Sequence, residues 1–169
     1  MRFDKKPKRF CRRWIILALL PLVACGFEPV YGTGTAASNM LGQIEIQVVK
    51  GRNGFELRDR LIERLGSAGS TAPYALSFKT TIISDDLTIS DDKDVTRFTL
   101  EGVTQFRVIS KDSQTVVYYS TITSNTAYSA TSGTYATSIA ERDANIRLSR
   151  DLADKIFTLL SITAKDWLK

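Results

Sequence analysis

The 169-residue chain has no histidine, only two cysteines and four prolines. Without imidazole there is no histidine-based triad, no histidine metal ligand and no imidazole general base. The G-x-S-x-G elbow, the G-x-x-x-x-G-K-[ST] loop and the G-x-G-x-x-G turn are missing too, and Gly66-Ser67-Ala68-Gly69-Ser70 reads as a helix exit followed by a loop. A membrane-spanning helix needs about 20 apolar residues. The apolar run from Trp14 to Ala24 is eleven residues and is interrupted by Pro21, so a permanent span is not expected from it.

Basic charge is scarce where a folded domain would carry it. The chain holds 23 Lys+Arg against 18 Asp+Glu, but residues 1–24 contain seven of the bases (Arg2, Lys5, Lys6, Lys8, Arg9, Arg12 and Arg13) and one acid, Asp4. The remainder is therefore 16 against 17, close to neutral. A nucleic-acid partner requires a phosphate-neutralising field on the folded part, so none is expected.

What is present begins with a leader. A basic segment ending at Arg13, an apolar run from Trp14 to Val23 and a small residue at Ala24 have the layout of a secretory signal. Leu22-Val23-Ala24-Cys25 looks like a bacterial lipobox, which predicts cleavage before Cys25 and a mature N-terminus carrying S-diacylglycerol and an N-acyl chain. Two or three acyl chains hold a protein firmly at a membrane, at roughly 0.8 kcal/mol per buried CH₂. Cys11 leaves with the leader, so no intramolecular disulfide remains. The expected organisation is a lipoprotein signal peptide over 1–24, a lipidated tether over 25–41, where Pro29, Gly32 and Gly34 break any period, and one domain over 42–169.

Within that domain Ile44, Ile46 and Val48 alternate as a short strand. Asn53 and Glu56 have capping-box spacing, and Leu57, Leu61 and Leu65 recur every fourth residue up to Gly66, predicting a helix of about three turns. Glu56 and Arg60 stand at the favourable i,i+4 spacing on its solvated side. Three extended segments follow. Leu76, Phe78, Thr80 and Ile82 share a face in the first; Phe98, Leu100, Phe106 and Val108 share one in the second, opposite Arg97, Thr99, Glu101, Gln105 and Arg107. The third places Val116, Tyr118, Ser120 and Ile122 together, and Lys111-Asp112-Ser113-Gln114 is short enough for a hairpin. After Gly133 the period becomes helical, with a stripe of Ile139, Ala140, Ala144, Leu148, Leu152, Ile156 and Leu160. The expected fold class is α+β: a two-layer sandwich of an about four-stranded, mainly antiparallel sheet with two helices packed on one face.

The residues that offer chemistry are few. Asp85, Asp86, Asp91, Asp92 and Asp94 are dense, but Arg97 stands where an EF-hand needs glycine and no acid fills the twelfth position. A solvated hairpin tip accounts for them, with a weak divalent-ion site left open. Lys79, Lys93, Arg97, Arg107 and Lys111 lie near strands; grouped around one end of the sheet they would contact phosphates, and scattered they are ordinary solvated positions. Tyr118, Tyr119 and Tyr128, among many Ser and Thr, offer either interface area or an ordinary sheet face.

The opening Cys25-Gly26-Phe27-Glu28-Pro29-Val30-Tyr31-Gly32 resembles the start of mature lipopolysaccharide-assembly lipoproteins of the LptE family, and Ala140-Glu141-Arg142-Asp143-Ala144 is similar to that family's last helix. The resemblance implies an outer-membrane lipoprotein without enzymatic activity or cofactor. It implies a plug inside the LptD β-barrel that helps the barrel assemble and takes part in delivering lipopolysaccharide to the outer leaflet. Gly26 after the cysteine is compatible with sorting to the outer membrane. Lys93 and Arg97 are the expected lipopolysaccharide ligands, chosen from their place at a strand entry and not from a motif. The alternatives are a generic outer-membrane lipoprotein that binds another envelope protein or lipid, a periplasmic protein without lipid, and an envelope polysaccharide enzyme using carboxylate pairs.

Overall fold

The computed structural model describes residues 34–87, 96–130 and 133–168. In chain order these form a one-turn helix α1 (Ala36–Asn39), strand β1 (Ile44–Ile46), helix α2 (Arg52–Leu65), strands β2 (Tyr74–Leu87), β3 (Thr96–Ser110) and β4 (Val116–Ala130), and helix α3 (Thr134–Trp167). The strands make one sheet in the order β1-β2-β3-β4, with β1 parallel to β2 and the other pairs antiparallel. Both long helices cover one face. This is the two-layer α+β arrangement expected from the order of periodicities.

Parity along the strands builds the core. Across the helix side run the rows Leu76–Val108–Tyr118, Phe78–Phe106–Ser120 and Thr80–Thr104–Ile122. Leu76, Leu100, Phe106 and Val108 are buried there against Leu57, Leu61 and Leu65 of α2 and Leu148, Leu152, Ile156 and Leu160 of α3. Thr104 is fully buried, and its Oγ1 lies 2.9 Å from that of Thr80, so the hydroxyls satisfy each other.

Several local expectations change. The Asn53–Glu56 capping box does not form, because α2 begins at Arg52 behind Gly51, whose φ of +86° suits glycine. Asn53 therefore sits in the first turn, and its Nδ2 donates to Asn145 Oδ1 of α3 at 3.0 Å. Arg60 does not pair with Glu56. Its guanidinium donates to Asp154 of α3 at 3.0 Å and to Glu63 at 2.9 Å, tying the two helices together. Those hydrogen bonds, Asp154 first, hold its pKa above the ordinary arginine value.

Strand β1 stops at Ile46 and Val48 is 87 % exposed. A register shift between Val108 and Ile109 puts Val116 outside, 53 % exposed, while Val117 packs against the core beside Tyr118. Ile139 is 46 % exposed, because α3 contributes to the core only from Ala144 onward. Conversely α1 lies in a segment without period, yet Ala37 and Met40 are buried and Ser38 N–H donates to Thr35 Oγ1 as a cap.

Candidate functional site on the open sheet face

The odd-numbered residues of β2 and β3 turn away from the helices. With one face of the sheet committed to the core, the other stands open among the described residues. It carries Lys79, Thr81 and Ile83 from β2, Arg97, Glu101, Gln105 and Arg107 from β3, and Tyr119, Thr121, Thr123 and Asn125 from β4, all exposed. Register decides which of them meet. Ser77, Arg107 and Tyr119 form one row, and Lys79, Gln105 and Thr121 the next. Arg107 Nε donates to Ser77 Oγ at 3.0 Å, and Tyr119 is 60 % exposed beside it. Ser77, Lys79, Gln105, Arg107 and Tyr119 line a shallow depression of about 300 Å³.

The sequence-derived candidates are distributed unevenly. Cys25 and Lys93 lie outside the described residues. Arg97 is exposed on the open face in register with Leu87 and Ser129, ten positions along β3 from Arg107, a separation of about 33 Å for an extended strand. Lys111 is not on this face. Its ammonium pairs with Glu45 and donates to Ser70 O at 2.8 Å, fixing the β3–β4 turn against β1. The described cations therefore do not gather at one end of the sheet: Lys79 and Arg107 are neighbours, and Arg97 is remote from them.

Two of the three tyrosines also leave the candidate surface. Tyr118 is half-buried on the helix side, its ring 6.0 Å from Phe106 and 6.5 Å from Trp167, and Tyr128 stacks on Phe98 at 5.1 Å. Strand parity separates Tyr118 from Tyr119. Of the acidic cluster, Asp85 is exposed at the end of β2, and residues 88–95 lie outside the described residues. Among the described residues, no three Asp, Glu or Cys side chains come together as a metal site. The face offers polar contact area and separated positive charge.

On the far side of β4, α3 reaches over the sheet edge. Arg147 donates to Thr126 Oγ1 at 2.8 Å and to Ala127 O at 3.3 Å. Lys155 donates to Thr123 O at 3.1 Å and to Ser124 Oγ at 2.9 Å, and pairs with Asp151 at 3.0 Å. Burial alone would raise the Asp151 pKa. Hydrogen bonds from Ser124 and Lys155, with the charge of Lys155, outweigh burial and hold the carboxyl below its ordinary value.

The grouping of Ser77, Lys79, Arg107 and Tyr119 does not follow from the sequence pattern. The alternation reveals which residues share a face, but only the register aligns them into rows. Among the described residues no helix is long and apolar enough to cross a membrane; α3 carries charges throughout its length.

The family model described as "LptE: Lipopolysaccharide-assembly" matches residues 41–160, which span α2, all three long strands and most of α3. An uncharacterized protein of Rickettsia prowazekii is 25% identical over 142 residues, covering 84% of this chain and 89% of that one. Among solved structures, a putative lipoprotein from Caulobacter crescentus superposes with a TM-score of 0.63 at 22% identity, covering 76% of this chain and 96% of its own. The rare lipoprotein B from Shewanella oneidensis gives 0.52 at 14% identity, covering 72% and 93%. These two likenesses show a shared fold. The family match extends over most of the chain, and the protein belongs to the LptE lipopolysaccharide-assembly family.

Proposed function

We propose that this protein is an outer-membrane lipoprotein, anchored through a lipidated Cys25, that sits as a plug in the lumen of an LptD-type β-barrel and takes part in delivering lipopolysaccharide to the outer leaflet. The observation that carries this reading, beside family membership, is the open sheet face. The helix layer completes the core on one side, so among the described residues the other side is left uncovered along β3 and available to a second surface. Its Thr, Gln, Asn, Glu and Tyr side chains suit a hydrated lumen, since the interior of an outer-membrane barrel is polar. Large barrels of this kind do hold a plug. Lys93 and Arg97 would contact lipopolysaccharide phosphates, arginine through paired N–H bonds and lysine as a point charge.

Photo-cross-linking tests the placement. A photoreactive residue at Tyr119, and separately at Gln105, should give an adduct at the combined mass of the lipoprotein and the barrel in native membranes. Absence of that adduct at both positions, with the protein at its normal level, rejects the plug.

A further inference from the structure

The sheet has two outer edges, and the protein treats them differently. On β4 the side chains of Arg147 and Lys155 occupy the outward carbonyls of Ala127 and Thr123. Charged groups over an edge are a recognised way to block strand pairing. Among the described residues, the β2 edge is covered only at its start. Tyr74 N–H donates to Gln43 O at 3.2 Å and Gln47 N–H donates to Leu76 O at 2.9 Å, so the even-numbered residues of β2 turn their backbone polar groups toward β1. By the alternation of a strand, Phe78, Thr80 and Ile82 turn theirs the same way. Strand β1 has ended by then, at Ile46.

Beside this part of β2 lies a groove of about 430 Å³ between the strand and residues Val49–Gly54. Val49, Phe78 and Ile82 supply apolar wall, Lys50, Arg52 and Lys79 are exposed at its rim, and no acid lines it among the described residues. We infer that the Phe78–Ile82 edge of β2 is a strand-addition site that accepts an extended, acid-bearing polypeptide segment in continuation of β1. Main-chain hydrogen bonds to an open edge supply the affinity, and side-chain pockets and rim charges supply the selection. Charge complementarity decides the occupant. A second copy pairing through the same edge would bring Lys79 and its neighbours against their own equivalents, and like charges across a strand pair are destabilising. This inference is independent of the barrel reading and is tested without the barrel.

The probe is a blocked heptapeptide, Thr-Glu-Val-Glu-Val-Glu-Thr, added to the mature full chain in detergent micelles while amide hydrogen exchange is followed residue by residue. With peptide at about 1 mM, the amides of Phe78, Thr80 and Ile82 should exchange at least about tenfold more slowly, and the same peptide with Lys for Glu should bind at least about tenfold more weakly. Thr80→Pro removes an outward N–H without touching the bonds to β3 and should abolish the protection. Thr80→Val loses the same hydroxyl as Thr80→Pro but keeps the N–H, and should retain it. The wild-type exchange stands as a test even if Thr80→Pro fails to fold. No slowing at these amides, or equal slowing by the Lys peptide, overturns the inference. So does slowing that rises with protein concentration alone, which would assign the edge to a second copy. Protection already present without peptide and lost on deleting the residues before Gly34 would assign it to the chain's own N-terminal part, and likewise overturns the inference.

Discussion

Gly102 of β3 lies against Leu152 of α3 so closely that a Cβ on the glycine would stand 2.9 Å from Leu152 Cδ1, and 3.2 Å from Leu148 Cδ2. Both leucines are buried, so a methyl group added at this position must displace a packed side chain. The height of α3 above the sheet is set at this contact, and Ile82 and Ser124 are the flanking positions in the same row.

Gly102→Ala should therefore destabilise the fold by about 1–3 kcal/mol, the usual range for overpacking a filled core. Urea denaturation measures it. Leu152→Ala alone should cost about 2–5 kcal/mol, and the double variant should lose less than the sum, because the new methyl group enters the space the leucine leaves. A neutral Gly102→Ala would contradict the close approach.

Asp151 gives a pH dependence with a definite sign. Its folded-state pKa is below the ordinary carboxylate value, so the unfolded chain binds this proton more readily than the folded one. The contribution is complete above the unfolded pKa of about 3.9 and is lost as pH falls through the folded value. Asp151→Asn should then differ from wild type by no more than about 1 kcal/mol at pH 7, given the exposure of the pair, and the difference should shrink as pH falls below about 3.9. A gap that widens in acid would contradict the assignment.

The edge of β4 is expected to depend on its two cations. Arg147→Ala combined with Lys155→Ala uncovers the carbonyls of Ala127 and Thr123. Size-exclusion chromatography with light scattering should then show more concentration-dependent self-association than wild type under the same conditions, because an uncovered, flat edge templates pairing. Monomeric behaviour of the double variant at all concentrations would remove the guarding role.

Arg97 and Lys93 carry the ligand expectation. Replacing both by Glu should weaken lipopolysaccharide binding by at least about tenfold, the loss of two charge-assisted contacts, while leaving barrel association intact. Direct titration with purified lipopolysaccharide measures the first and co-purification the second. Unchanged ligand binding removes the pair from consideration.

The legible parts of the fold were those with a sustained period. Fifteen-residue β3 alternates from Arg97 to Glu101 and again from Gln105 to Val108, across Gly102-Val103-Thr104, and α3 repeats Ala144, Leu148, Leu152, Ile156 and Leu160, so both buried faces could be read directly. Short or interrupted elements were not. The bulge at Val117 shifts parity by one residue, and nothing in Val116-Val117-Tyr118-Tyr119 shows where the shift falls. Asn53 has capping chemistry, but Gly51 admits the positive φ that starts the helix earlier. Met40 enters the core from a segment too short to show a period. For the candidate surface, parity placed Arg97 and Arg107 on one face, whereas the row Ser77–Arg107–Tyr119 and the uncovered stretch of β2 depend on register and on where β1 stops. Those are relations between strands, which periodicity within a strand does not encode.

The central claim is the association with a barrel. Detergent extraction of native membranes, capture through a C-terminal tag and mass spectrometry of everything retained test it most directly, with Cys25→Ala as the control for anchoring. The account predicts an LptD-type β-barrel protein in about one-to-one amount with the lipoprotein, as expected of a stable complex of this kind, and loss of the lipid modification in the control. Recovery of the lipoprotein alone, or with a different envelope partner, would contradict it.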